Sequence, residues 1–133
     1  MQPLIIDSTN LTPSVEFNPT ESKFIIAGYS RPEDVSEFYF PLINWIREYK
    51  KHLENSENKA KNHTFIFKFS YFNSASTKYL CDLLLEIKKL RNCVLSLDID
   101  WYYEEYDDDM REVGETLSEI INYPFNFYSF EKD

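Results

Sequence analysis

The chain has 133 residues, 14 of them basic and 23 acidic, for a net charge of -9. That length suits one domain, large enough to bury roughly two-thirds of its unfolded surface without disulfide or metal staples. Aromatics, at 17% with ten Tyr and eleven Phe, supply a core, while the acidic balance argues against nucleic acid and anionic membrane as partners, since both need a basic footprint.

The start, Met1-Gln2-Pro3-Leu4-Ile5-Ile6-Asp7, carries no basic region and no apolar run long enough for a signal peptide or a membrane span, so a cytoplasmic location is expected. The first predicted element is a hairpin: Ser14 to Phe17, a turn through Asn18-Pro19-Thr20-Glu21, then Lys23 to Gly28. A loop through Tyr29 to Asp34 leads to a helix that reaches about Leu53, with Phe38, Leu42, Trp45, Ile46 and Tyr49 as its apolar face. Pro41 lies near its start and costs a backbone hydrogen bond if the helix begins at Ser36. Lys50 to Asn62 turns charged and polar and reads as ending in a surface loop.

Thr64 to Phe72 is aromatic and β-branched, with aromatics at every second position, and reads as a strand. Asn73-Ser74-Ala75-Ser76-Thr77-Lys78 follows. Tyr79, Leu80, Leu83, Leu84, Ile87 and Leu90 then recur at helical spacing. The switch of period places a cluster of hydroxyls at a helix N-terminus, where unpaired N–H groups and the positive end of the macrodipole suit an added phosphate. The plainer reading of the same residues is that Asn73 or Ser74 caps the helix.

Val94 to Tyr102 reads as a further strand, with Leu95, Leu97, Ile99 and Trp101 on one face and Ser96, Asp98 and Asp100 on the other. A third helix, about Asp109 to Ile121, shows Met110, Val113, Leu117, Ile120 and Ile121 on one stripe. Pro124 follows its end, and Phe125 to Phe130 reads as a last strand. The order β-β-α-β-α-β-α-β implies an α/β domain with a mixed, mostly parallel sheet and right-handed crossovers. Lys68, Ser70, Asp98 and Asp100 interrupt strands that would be apolar throughout if both sheet faces were covered. Two layers are therefore expected, with the helices packed on one face.

Gly28 and Gly114 are the only glycines, so a glycine-rich phosphate loop is ruled out by counting. His52 and His63 sit in or beside a polar stretch with no ligand-spaced companions and read as surface residues. Cys81 and Cys93 belong to no CxxC pair and read as buried free thiols in a reducing compartment. The run Glu104-Glu105-Tyr106-Asp107-Asp108-Asp109 lacks the alternation and turn glycine of a calcium loop; its acids suit the first turn of the third helix, and a partner-facing acidic loop is compatible with that. Asp98 and Asp100 share a strand face, where Lys68 would neutralise one of them. They and the Glu104–Asp109 run motivate a competing class, a small acidic metal-binding protein or enzyme. Ser74 has no histidine positioned to activate it, and no catalytic residue or cofactor is expected.

Several motifs fall in order over nearly the whole chain: Thr12-Pro13-Ser14, Pro32-Glu33-Asp34, Phe38 to Trp45, Tyr71 to Lys78, Trp101 to Glu105 with the following acids, and Tyr123-Pro124-Phe125. As a set they resemble the SiaC family of small bacterial regulators. The resemblance implies a fold like the STAS domains of anti-sigma-factor antagonists (SpoIIAA-like) and a non-enzymatic, partner-switching role. A cognate serine/threonine kinase phosphorylates such proteins just ahead of a helix, a PP2C-type phosphatase reverses this, and the unphosphorylated form engages a diguanylate cyclase in cyclic di-GMP signalling. The family's modified threonine lies in an Asn-Thr-Ser-Ser segment, which Ser74 matches here with Ser in place of Thr and Ala75 in place of the next Ser. Ser74 is accordingly the expected phosphorylation site. Ser76, Thr77 and Lys78, exposed on the first turn, are the expected partner contacts together with Asn73, Glu104 and Glu105.

Overall fold

Alternating apolar residues and three amphipathic stretches build one layered sheet-and-helix unit. The structure, a computed structural model, describes residues 1–56 and 61–131. Three strands come first: β1 (Leu4–Ile6), β2 (Ser14–Asn18) and β3 (Lys23–Ser30). Three crossovers follow. Helix α1 (Val35–Glu54) leads to β4 (Asn62–Phe72), α2 (Ser74–Lys89) with a short 3₁₀ turn leads to β5 (Ser96–Glu104), and α3 (Asp108–Ile121) leads to β6 (Asn126–Phe130).

The six strands lie side by side in chain order, β1 to β6. β1 and β3 flank β2 antiparallel, and β3 through β6 run parallel. With the order advancing steadily across the sheet, right-handed crossovers place the three helices on one face. The expected two-layer arrangement holds, but the expected element order lacked β1. Leu4-Ile5-Ile6 is too short to display a period, and its strand is fixed by pairing instead, with Leu4 opposite Phe17 and Ile6 opposite Val15. Among the described residues no helix is long and apolar enough to cross a membrane.

Burial follows the pleat. On β4, His63, Phe65, Phe67 and Phe69 face the helices and are buried, whereas Thr64, Ile66 and Lys68 are half-buried and Ser70 is exposed. On β5, Leu97, Ile99 and Trp101 are buried, but Leu95 is 75% exposed because the strand begins at Ser96 and not at Val94. Helix α1 buries Tyr39, Leu42, Ile43, Ile46 and Tyr49; Phe38 and Trp45 only flank that stripe. It runs through the exposed Pro41 to Glu54, within a residue of the expected end, and so includes the start of the charged, polar stretch. Positions 57–60 of that stretch lie outside the described residues. On α3, Ile120 is 61% exposed and so leaves the predicted core stripe. Cys81 and Cys93 are free and half-buried, with Cys93 ending the 3₁₀ turn.

Trp101 is the centre of the core. It is fully buried, with ring centroids 6.0 Å from Phe67 and Phe125 and 6.2 Å from Phe69 and Phe72. Its Nε1 donates to the Met110 carbonyl at 3.0 Å. Gly114 of α3 makes room for the ring: a Cβ there would lie 2.5 Å from Trp101 Cδ1 and Nε1.

Two expected side-chain roles change. Lys68 does not pair with Asp98 or Asp100, because the register sets it opposite Tyr102 and sets Asp100 opposite Ile66. Its ammonium lies instead 4.5 Å from the Phe130 ring centroid and 5.9 Å from that of Tyr102, a cation–π arrangement. His63 is buried, not a surface residue, since its place in the pleat matches that of Phe65. Its Nδ1–H donates to the Lys61 carbonyl at 3.0 Å, and Nε2 accepts from the Tyr49 hydroxyl at 2.6 Å. Burial pushes the Tyr49 hydroxyl up to about 12, so it remains a donor. Burial also holds the His63 pKa below its ordinary value. On acidification the unfolded chain takes up this proton first, so stability is full above about pH 6.5 and is lost as pH falls toward the depressed folded value. The thermal midpoint is expected to drop between pH 7.5 and 5.5, and to drop less in His63→Gln; equal slopes in the two proteins would exclude His63 as the cause.

Candidate functional site: the N-terminus of the second helix

Because β3, β4 and β5 are parallel, their C-terminal ends share one rim, and each feeds a helix there. Each of the three α-helices described has a side-chain cap. Asp34 accepts from the Glu37 N–H at 3.0 Å, Asn73 from the Ser76 N–H at 3.0 Å, and Asp107 from the Met110 N–H at 3.1 Å. Such caps satisfy one of the orphan donors and contribute about 0.5–2 kcal/mol each. Their charges differ. α1 has the Asp34 carboxylate and Glu37, and α3 has Asp107, Asp108 and Asp109. The N–H of Glu37 and the hydroxyl of Ser36 hold the Asp34 carboxyl below its usual range. α2 has a neutral cap and no acid in its first turn. Among the three α-helices described, its positive end alone carries no compensating carboxylate.

The hydroxyls of this turn are sorted by direction. Ser74 is the first residue of α2 and is exposed, as is Ala75. Asn73 is therefore the cap of the two candidates read from the sequence. Ser76 was expected to be exposed and is instead fully buried. Its Oγ donates to Asn73 Oδ1 at 2.7 Å and lies 3.3 Å from Ser30 Oγ, which in turn is 2.7 Å from the Tyr39 hydroxyl. The Asn73 N–H donates to the Ser30 carbonyl at 3.1 Å. This buried chain ties the start of α2 to the end of β3 and to α1. Every member has a partner, as buried hydroxyls in such a core require. Ser30 and Tyr39 had no signal in the sequence, because the link from Ser30 to Ser76 joins residues brought together only by the parallel pairing.

Thr77 is half-buried with Oγ1 3.5 Å from the Asn73 carbonyl, and Lys78 is exposed with its ammonium 5.6 Å from the Tyr79 ring centroid. Tyr71 and Tyr29 stack at 5.0 Å beside the turn, both exposed. The acidic run divides into separate roles. Glu104 ends β5, the Glu105 N–H donates to the Phe130 carbonyl at 2.7 Å, Tyr106 stands 89% exposed with a φ of 70°, and Asp107 caps α3. The structure brings Thr77 and Asp109 together on one groove, and leaves Glu104 and Glu105 outside it.

Asp98 and Asp100 do not converge with that run. Both face Asn126, whose Nδ2 donates to Asp100 at 3.0 Å and lies 3.4 Å from Asp98. Among the described residues no three His, Cys, Asp or Glu side chains are grouped to hold a metal ion.

Comparison with known proteins agrees with this architecture. A solved structure of SiaC of Pseudomonas aeruginosa superposes with a TM-score of 0.78 at 20% identity, covering 98% of this chain and 100% of that one. A second, of the diguanylate cyclase SiaD in complex with its activator SiaC from the same organism, matches with a TM-score of 0.80 at 20% identity over 96% of this chain and 99% of that one. In sequence, an uncharacterised protein of P. aeruginosa strain UCBPP-PA14 is 22% identical over 125 residues, 94% of each chain. The family model for SiaC family regulatory phosphoproteins matches residues 6–130, nearly the whole length. The chain belongs to the SiaC family of regulatory phosphoproteins.

Proposed function

We propose that this protein is a non-enzymatic partner-switching regulator set by reversible phosphorylation of Ser74. A serine/threonine kinase transfers a phosphoryl group to Ser74 Oγ, and a PP2C-type phosphatase removes it by hydrolysis. The observation that carries the reading is the uncompensated N-terminus of α2 with an exposed hydroxyl at its first position. A phosphate adds about -1.5 to -2 charge and three acceptor oxygens. At this helix end the dipole accepts that charge, so the domain stays folded while its surface gains negative charge. Ser76, buried and bonded to Asn73, is itself withdrawn from a kinase.

The unphosphorylated form binds and regulates a target, and the relative's complex with a diguanylate cyclase makes such a cyclase the first candidate. Asn73, Thr77 and Lys78, with Glu104 and Glu105 on the same rim, are the proposed contacts of kinase or target. The setting is the cytoplasm. Phosphopeptides spanning residues 68 to 88, mapped from native cells across growth states, are expected to carry phosphate on Ser74 in some states and not in others. Ser74→Asp is expected to weaken capture of the target by about tenfold or more, or about 1.4 kcal/mol. Binding as tight as that of the unmodified protein would end the switch mechanism.

A further inference from the structure

The groove between the first turn of α2 and the length of α3 has a volume of about 420 Å³. Thr77, Val113, Leu117 and Ile120 line it, with the exposed carboxylates of Asp109 and Glu112 at its edge. Val113, Leu117 and Ile120 stand at i, i+4 and i+7, the spacing at which one helix presents a ridge to another. Leu117 is spent on the core, but Val113 is half-buried and Ile120 is 61% exposed. α3 thus carries an apolar ridge that its own fold only partly covers.

The charges around the ridge identify what fits it. The exposed acids of α3 are Asp108, Asp109, Glu112, Glu115 and Glu119, against a single base, Arg111, which is already bonded to Glu115 at 3.0 Å. A second copy of this chain would bring the same acidic edge against itself, in a molecule of net charge -9. We propose that the groove seats an amphipathic helix of a partner protein, its apolar face on Val113 and Ile120 and its flanking lysines or arginines on Asp109 and Glu112. The inference rests on reading this rim as a docking surface, and not on modification of Ser74.

The probe is an end-blocked helical peptide about 18 residues long, above the length at which isolated helices are marginal, with Leu at i, i+3 and i+4 and Lys elsewhere. A Leu/Glu peptide of the same pattern is the control. The full chain is expected to bind the Leu/Lys peptide one to one, more weakly as salt is raised, and to ignore the Leu/Glu peptide. Ile120→Asp, at an exposed position, keeps the fold and is expected to weaken binding by about tenfold or more. Attraction by charge alone would make that variant bind more tightly, so unchanged or tighter binding overturns the proposal. Self-association of the chain that Ile120→Asp abolishes, seen by sedimentation, overturns it as well. Ser74→Asp run alongside separates this groove from the switch. Peptide binding retained in that variant supports the groove even where target switching fails, and absence of peptide binding removes the groove whatever Ser74 does.

Discussion

Replacing Trp101 with Ala is expected to lower stability by about 3–5 kcal/mol, the range for emptying a large aromatic site in a packed core. The ring is fully buried among Phe67, Phe69, Phe72 and Phe125, which come from β4 and the α3–β6 turn. No neighbour can collapse into the space without leaving its place in β4 or the α3–β6 turn. The substitution also removes the Nε1–H bonded to the Met110 carbonyl, a tie between β5 and the start of α3. For a domain whose total stability is of order 5–15 kcal/mol, this is a large share. Urea unfolding of the two proteins measures it directly. A loss under about 1 kcal/mol would mean that the surrounding aromatics repack.

Gly114→Ala is expected to destabilise by roughly 1–3 kcal/mol, opposite in sign to what helix propensity alone gives. Within an α-helix Ala is favoured over Gly by about 1 kcal/mol. Here the added Cβ would stand 2.5 Å from Trp101 Cδ1 and Nε1 and 2.8 Å from Cε2. Those atoms belong to a rigid ring held on every side and by its hydrogen bond, so the contact is relieved only by moving α3 off the sheet. The thermal midpoint of the variant decides between the two effects. A rise would show that packing yields to propensity. A fall that is absent when Trp101 is also Phe would assign the cost to this contact.

Much of the architecture was written in residue periodicity. The two-residue alternation of Phe65, Phe67 and Phe69 named both a strand and its buried face, and the polar Lys68, Asp98 and Asp100 correctly signalled a sheet covered on one side. Period failed where an element is short or a boundary falls inside an apolar run. β1 has three residues, and Leu95 shares the parity of Leu97 yet precedes the strand. Propensity also misread His63, since a polar side chain beside a polar stretch looks like surface until the pleat turns it inward.

The candidate site was legible in part. Asn73 as a cap follows from side-chain chemistry, and the structure bears it out. The inward turn of Ser76 does not follow, because its partners Ser30 and Tyr39 come from β3 and α1 and meet it only in the folded layer. The contrast between three helix ends is likewise a property of the rim. The acids of α1 and α3 are visible in the sequence, but their alignment beside the neutral end of α2 depends on three parallel strands ending together.

The strand order has a consequence for how the chain is made. Each strand is laid beside the one before it, from β1 at one edge to β6 at the other. No strand has to be threaded between two that are already paired, and none waits for a later segment to fill a gap. During synthesis every newly completed crossover can dock onto a finished edge, so growth is by accretion, with β1 as the constant outer edge and the latest strand as the growing one. Partial chains ending after β4 or β5 are nested versions of the same sheet, with the Ser74 turn assembled as soon as α2 has closed over β3 and β4.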